Sequence, residues 1–177
     1  GGTQFGLRAF GGNFTNDEIR AAVQLAHGMG RKVYVTVNVF PHNDDLVALP
    51  DYLRFLAEAG VDAVLVADLG VFMCAREVAP ALPVHISTQA NNVNWRTVRA
   101  WQELGAARVV LARELSREEI REIRRQTDVE LELFVHGAMC ISYSGRCLLS
   151  SYFTGRDANR GGCAQSCRWQ YALVEAS

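Results

Sequence analysis

The sequence predicts an α/β protein on parallel strands: a partial TIM-type (β/α) barrel followed by a cysteine-rich irregular segment. Three observations carry this. Short β-branched apolar runs alternate with amphipathic stretches every roughly 22 to 29 residues, the rhythm of βαβ crossovers. Polar residues recur where the apolar runs end. Beyond His136 the alternation stops.

The strands are expected at 32–39, 61–67, 83–87, 107–112 and 129–135, each short and apolar enough to be buried on both faces. Helices fill the intervals. Thr15 stands three residues before Glu18, and Ser116 three before Glu119, the capping-box spacing that satisfies free N–H groups at a helix start. Gly30, Gly60 and Gly105 fall where helices should end. The opening Gly1-Gly2-Thr3-Gln4-Phe5 reads as the end of a strand.

A closed barrel and an open doubly wound sheet both fit this alternation. The barrel is favoured because polar residues follow every strand: Asn38, Asp68, Gln89 with Asn91, Arg113 with Glu114, and His136. In a barrel those ends share one rim, where active sites lie, whereas an open sheet gathers only those beside its switch point. Asn38, Asp68, Gln89, Arg113, Glu114 and His136 are therefore the candidate catalytic residues, expected on one face. Arg113 is the candidate for gripping a carboxylate or phosphate in bidentate fashion; His42 is a weaker candidate. No Gly-x-Gly-x-x-Gly follows a strand and no Walker loop occurs, so the usual nucleotide fingerprints are missing. Because a complete barrel takes roughly 250 residues, residues 1–136 are expected to be a truncated barrel core. Residues 137–177 form the cysteine-rich segment.

Composition is that of a globular chain, with 49% hydrophobic and 21% charged residues. No run approaches the roughly 20 apolar residues of a membrane helix, and no signal peptide is visible. A cytoplasmic location without membrane contact is expected. The net charge of −1 gives no overall attraction to nucleic acid. The tail is mildly basic, with Arg146, Arg156, Arg160 and Arg168 against Asp157 and Glu175.

Four of the five cysteines lie in that tail, as Cys140-x6-Cys147-x15-Cys163-x3-Cys167; Cys74 sits in an apolar helical stretch and reads as a small buried hydrophobe. Disulfides, structural zinc and an iron–sulfur cluster stay open on spacing alone. Disulfides suit small secreted scaffolds short of core. Zinc favours Cys-x2-Cys knuckles, which are absent. Clusters tolerate wider spacings.

Specific motifs narrow the reading. Glu132-Leu133-Phe134-Val135-His136-Gly137-Ala138-Met139-Cys140, then Tyr143-Ser144-Gly145-Arg146-Cys147-Leu148-Leu149-Ser150, resembles the signature of the collagenase-like peptidase family of unassigned catalytic type. Residues Gly155 to Cys163, with Cys167-Arg168-Trp169, resemble its next segment. Asn38-Val39-Phe40-Pro41-His42-Asn43, Ala67-Asp68-Leu69-Gly70, Ser87-Thr88-Gln89-Ala90-Asn91 and Ala112-Arg113-Glu114-Leu115-Ser116 extend the likeness over the whole chain. The resemblance implies a barrel whose first strand and helix precede Gly1, and a C-terminal part beyond Ser177. It implies hydroxylation of RNA bases, either 5-hydroxyuridine in tRNA or hydroxycytidine in ribosomal RNA, with prephenate associated. It also implies a 4Fe-4S cluster on Cys140, Cys147 and Cys163, the fourth ligand being Cys167 or a cysteine farther downstream.

The alternatives are a peptidase acting on a peptide substrate, as the family label states, and a non-catalytic cluster-binding module. A peptidase needs an activated nucleophile or metal-bound water, and the best candidate is Cys140 with His136 as base. RNA is the expected partner, with the four tail arginines on phosphates and Tyr143, Tyr152 or Trp169 available to stack on a base. Open barrel edges predict self-association.

Overall fold

The computed structural model describes residues 2–7, 11–137 and 139–173. Five strands, β1 (Tyr34–Val37), β2 (Ala63–Val66), β3 (Val84–Ile86), β4 (Arg108–Val110) and β5 (Glu130–Glu132), form one open sheet. All pairings are parallel and the order is sequential, β1-β2-β3-β4-β5. A doubly wound sheet would reverse its order at a switch point, and these strands do not.

The connecting helices are α1 (Asn16–Gly28), α2 (Leu49–Glu58), α3 (Leu69–Val78), α4 (Trp95–Leu104) and α5 (Arg117–Gln126). Both capping boxes form. The Thr15 hydroxyl accepts from the Glu18 N–H at 3.3 Å while Glu18 accepts from the Thr15 N–H at 2.7 Å. Ser116 and Glu119 repeat these distances. Helix α4 stops at Gly105, whose φ of 97° is strained for any residue with a Cβ.

Strand alternation divides the sheet into two faces. Val35, Val37, Val64, Val66, Val84, Ile86, Val109 and Leu111 belong to the core with Leu49, Leu53, Leu56, Val71, Phe72, Val98 and Ile123 from the helices. In α2 the buried positions Leu49, Tyr52, Leu53 and Leu56 recur every three to four residues, one stripe of a 3.6-residue helix. The opposite face carries Thr36, Leu65, His85, Arg108 and Glu130 in one lateral register. There Arg108 bridges Glu130 at 2.7 Å and Glu132 at 2.9 Å.

Two expectations need correction. Residues 133–135 do not continue β5: Phe134 and Val135 are exposed, because no described strand pairs beyond Glu132. The cysteine-rich segment is not wholly irregular. It holds a one-and-a-half-turn helix, α6 (Leu149–Thr154), and 3₁₀ turns at Tyr143–Gly145, Ala158–Arg160 and Ser166–Arg168. Ser, Tyr, Phe and Thr are middling helix formers, so the pattern hides α6; tertiary contacts at the buried Ser150 hold it. Near the N-terminus, Gly2 makes an isolated parallel bridge to Phe14, and Gly1 lies outside the described residues.

Candidate functional site

The chain leaving β1 delivers Asn38, and the chain leaving β3 winds into a 3₁₀ turn, Thr88–Ala90, that presents Gln89. Asn38 Nδ2 donates to Gln89 Oε1 at 2.8 Å, and the Ser87 hydroxyl donates to the same oxygen at 3.3 Å. With its oxygen doubly engaged, the Gln89 amide has a defined orientation. Asn38 Oδ1 in turn accepts from the Leu7 N–H at 3.4 Å.

The cysteine-rich segment closes over this group. Arg146 Nε donates to the Gln89 carbonyl at 3.2 Å, and its guanidinium lies 4.5 Å over the Phe40 ring. Arg113, after β4, rests 5.9 Å over the Phe134 ring. Gly145 stands close to both Gln89 and Arg113, a Cβ there falling 3.6 Å from Gln89 Nε2 and 3.9 Å from Arg113 Nη2. Further fastening comes from Arg160, 2.6 Å from Asp45, and from the Phe40 N–H, which donates to the Asn159 carbonyl at 3.1 Å. The His42 backbone N–H and then Arg160 hold the Asp45 carboxyl below the usual carboxylate range.

Of the predicted rim residues, Asn38 and Gln89 are bonded directly, and Arg113 reaches the same turn beside Gly145. Asp68 serves its own helix, accepting the Val71 N–H at 3.0 Å as the N-cap of α3. Glu114 and His136 are exposed. Asn91 adopts φ 56°, and its Oδ1 is buried without a partner among the described residues; both side-chain polar atoms of the fully buried Asn92 share that condition. A cleft of about 580 Å³ opens beside the group, walled by Phe40, His42, Arg146, Cys147, Leu148, Ser151, Asp157 and Asn159. Sequence reasoning singled out Arg146 only as a phosphate contact and passed over Ser150. Their positions depend on long-range contacts that leave no periodic trace.

All five cysteines are free thiols. Cys74 packs half-buried against the core, and burial pushes its thiol pKa up. Cys140, Cys163 and Cys167 are exposed and Cys147 is half-buried. Cys147 Sγ accepts from the Leu149 N–H at 3.3 Å, and Cys163 Sγ from the Gln165 N–H at 3.4 Å. Such N–H···S bonds favour thiolate ligands, so the donor chemistry suits an iron–sulfur centre. The arrangement does not gather them: among the described residues no three His, Cys, Asp or Glu side chains stand close enough to share a metal.

This site belongs to a parallel α/β protein whose polar machinery sits beyond the C-terminal strand ends, overlaid by a cysteine-rich segment. The chain is a member of peptidase family U32, whose pattern matches residues 1–177. It is 51% identical over 175 residues to the tRNA hydroxylation protein P1 of Bacillus subtilis, covering 99% of this chain and 42% of that protein. It is 39% identical over 175 residues to the 23S rRNA 5-hydroxycytidine C2501 synthase of Escherichia coli, covering 99% of this chain and 26% of that one. The structure of the U32 peptidase Mk0906 superposes with a TM-score of 0.58 at 23% identity, over 69% of this chain and 53% of that one. The likeness to Mk0906 is one of fold. The chain thus spans less than half the length of these curated relatives.

Proposed function

We propose that this chain is part of a protein that hydroxylates RNA bases, forming 5-hydroxyuridine in tRNA or hydroxycytidine in ribosomal RNA. The observation that carries this reading is the 51% identity, across nearly the whole chain, to a tRNA hydroxylation protein. Asn38, Gln89 and Arg113 would bind and orient the substrate, with Glu114 and His136 as further candidate catalytic residues and Asp68 supporting α3. Cys140, Cys147 and Cys163, with Cys167 or a downstream cysteine, would hold a 4Fe-4S cluster, which supplies one-electron chemistry when bound. Prephenate remains a proposed co-substrate, the cytoplasm the proposed location, and a closed barrel the proposed form of the complete chain. Among the described residues no helix is long and apolar enough to cross a membrane.

The peptidase reading asks for Cys140 beside His136. Among the described residues, Cys140 Sγ is within hydrogen-bonding distance of Ser142 Oγ, at 3.3 Å, and no such bond to His136 is found. The test is deletion of the gene followed by nucleoside mass spectrometry of tRNA and 23S rRNA, with complementation by wild type and by Cys140→Ala, Cys147→Ala and Cys163→Ala. Loss of one hydroxylated pyrimidine, restored only by wild type, is expected. Unchanged nucleosides, together with gelatin or casein hydrolysis by the pure protein, would overturn the proposal. Equal iron content in all four anaerobically reconstituted proteins would remove the cluster.

A further inference from the structure

We propose that Arg113 and Arg146, arranged around Gln89, form an oxyanion-binding site for a phosphate or carboxylate group of the ligand entering the neighbouring cleft. The site stands on its own geometry; only the identity of its ligand rests on the RNA reading.

Two guanidinium groups arrive at one turn from distant parts of the chain. Arg146 donates from Nε to the Gln89 carbonyl, and its guanidinium carbon lies 4.5 Å from the centre of the Phe40 ring. Those contacts engage Nε and the guanidinium face and leave both terminal amino groups without a hydrogen-bond partner among the described residues. Arg113 reaches within 3.9 Å of where a Cβ on Gly145 would stand, lies 5.9 Å over Phe134, and its buried Nε has no partner among the described residues. A buried N–H with nothing to donate to is costly. Neither arginine pairs with a carboxylate among the described residues, whereas Arg108 and Arg160 do.

A planar fork with two free amino groups matches the two oxygens of a carboxylate or phosphate. The place is also right, beyond the carboxyl ends of parallel strands, where ligands of such folds bind. Asp157 lines the same cleft, but its Oδ1 already accepts the Asn159 N–H at 2.8 Å. Gly145, at φ 88°, lets the chain turn beside Gln89 and Arg113 just before Arg146, where a residue with a Cβ would strain the backbone.

The experiment uses the full-length protein, with Arg113→Gln, Arg146→Gln and Arg146→Lys, and Arg125→Gln on α5 as the charge-loss control. Thermal stability is measured against inorganic phosphate and malonate, and binding of a tRNA transcript against salt concentration. Phosphate or malonate should raise the Tm of wild type and the control. The rise should vanish in both Gln variants and be partial in Arg146→Lys, whose point charge cannot grip in bidentate fashion. If the anion is an RNA phosphate, each Gln variant lowers the log–log salt slope of tRNA binding by about one. An unchanged slope with a lost malonate response assigns the site to a small carboxylate. Variants that respond to both anions and to tRNA as wild type does overturn the proposal, as does a wild type that responds to none of them. A wild type that binds no tRNA, yet loses its anion response on substitution, keeps the site and removes the RNA reading.

Discussion

The Ser150 hydroxyl oxygen accepts the Ala164 N–H at 2.9 Å and lies 3.5 Å from the Gly162 carbonyl, so one buried side chain holds the backbone on both sides of Cys163. Ser150 itself is the second residue of α6, three residues after Cys147. The two cysteine-bearing stretches are thereby tied together by a residue with no metal-binding chemistry of its own.

Ser150→Ala should loosen that tie. A lost hydrogen bond at a buried site costs about 1–2 kcal/mol, and the local effect should exceed the global one. Trypsin cleavage after Arg160 and Arg168 is expected to accelerate while the midpoint of urea unfolding moves only slightly. Unaltered cleavage would mean that other contacts hold the segment.

Asp68 offers a test of role. As an N-cap it can be replaced by Asn, which caps equally well, whereas Ala should cost about 1 kcal/mol. If capping is its whole contribution, Asp68→Asn keeps wild-type stability and full RNA modification in the complementation assay. Retained stability with lost modification would instead make the carboxylate itself a participant.

His85 predicts an acid sensitivity. It is buried on β3 with its ring 4.9 Å from that of Tyr34. Burial, then the Arg108 charge, push its pKa below the ordinary 6.5, with Glu132 and Glu130 opposing. The folded-state value lies below the unfolded one, so the unfolded chain takes up the proton first. Stability is therefore full above about 6.5 and declines as pH falls through the depressed folded-state value. Urea midpoints between pH 7.5 and 5 should drop in wild type, and by less in His85→Gln. Equal drops would place the acid sensitivity elsewhere.

Neither β1 nor β5 pairs with a further strand on its outer side among the described residues. The isolated 177-residue chain should accordingly associate through those edges. Light scattering at rising concentration checks this, a clean monomer throughout being the contrary result.

The local pattern was sufficient to place the five strands, the two capping boxes and the glycine at the end of α4, because each depends on residues a few positions apart. The parallel sheet followed from the rhythm of those elements, while its sequential order was expected only from the polar residues after the strands. Only tertiary structure decided how the polar strand ends are used. Asn38 and Gln89 meet across 51 residues, Arg146 and Gln89 across 57, and Arg160 and Asp45 across 115. Nothing in periodicity encodes such pairs, since they depend on which loop lies over which strand end. For the same reason Asp68 and Gln89, alike in sequence as polar residues after a strand, part company. The first turns back to cap the helix that follows it, and the second bonds to Asn38 from beyond β1 and to Arg146 from the cysteine-rich segment.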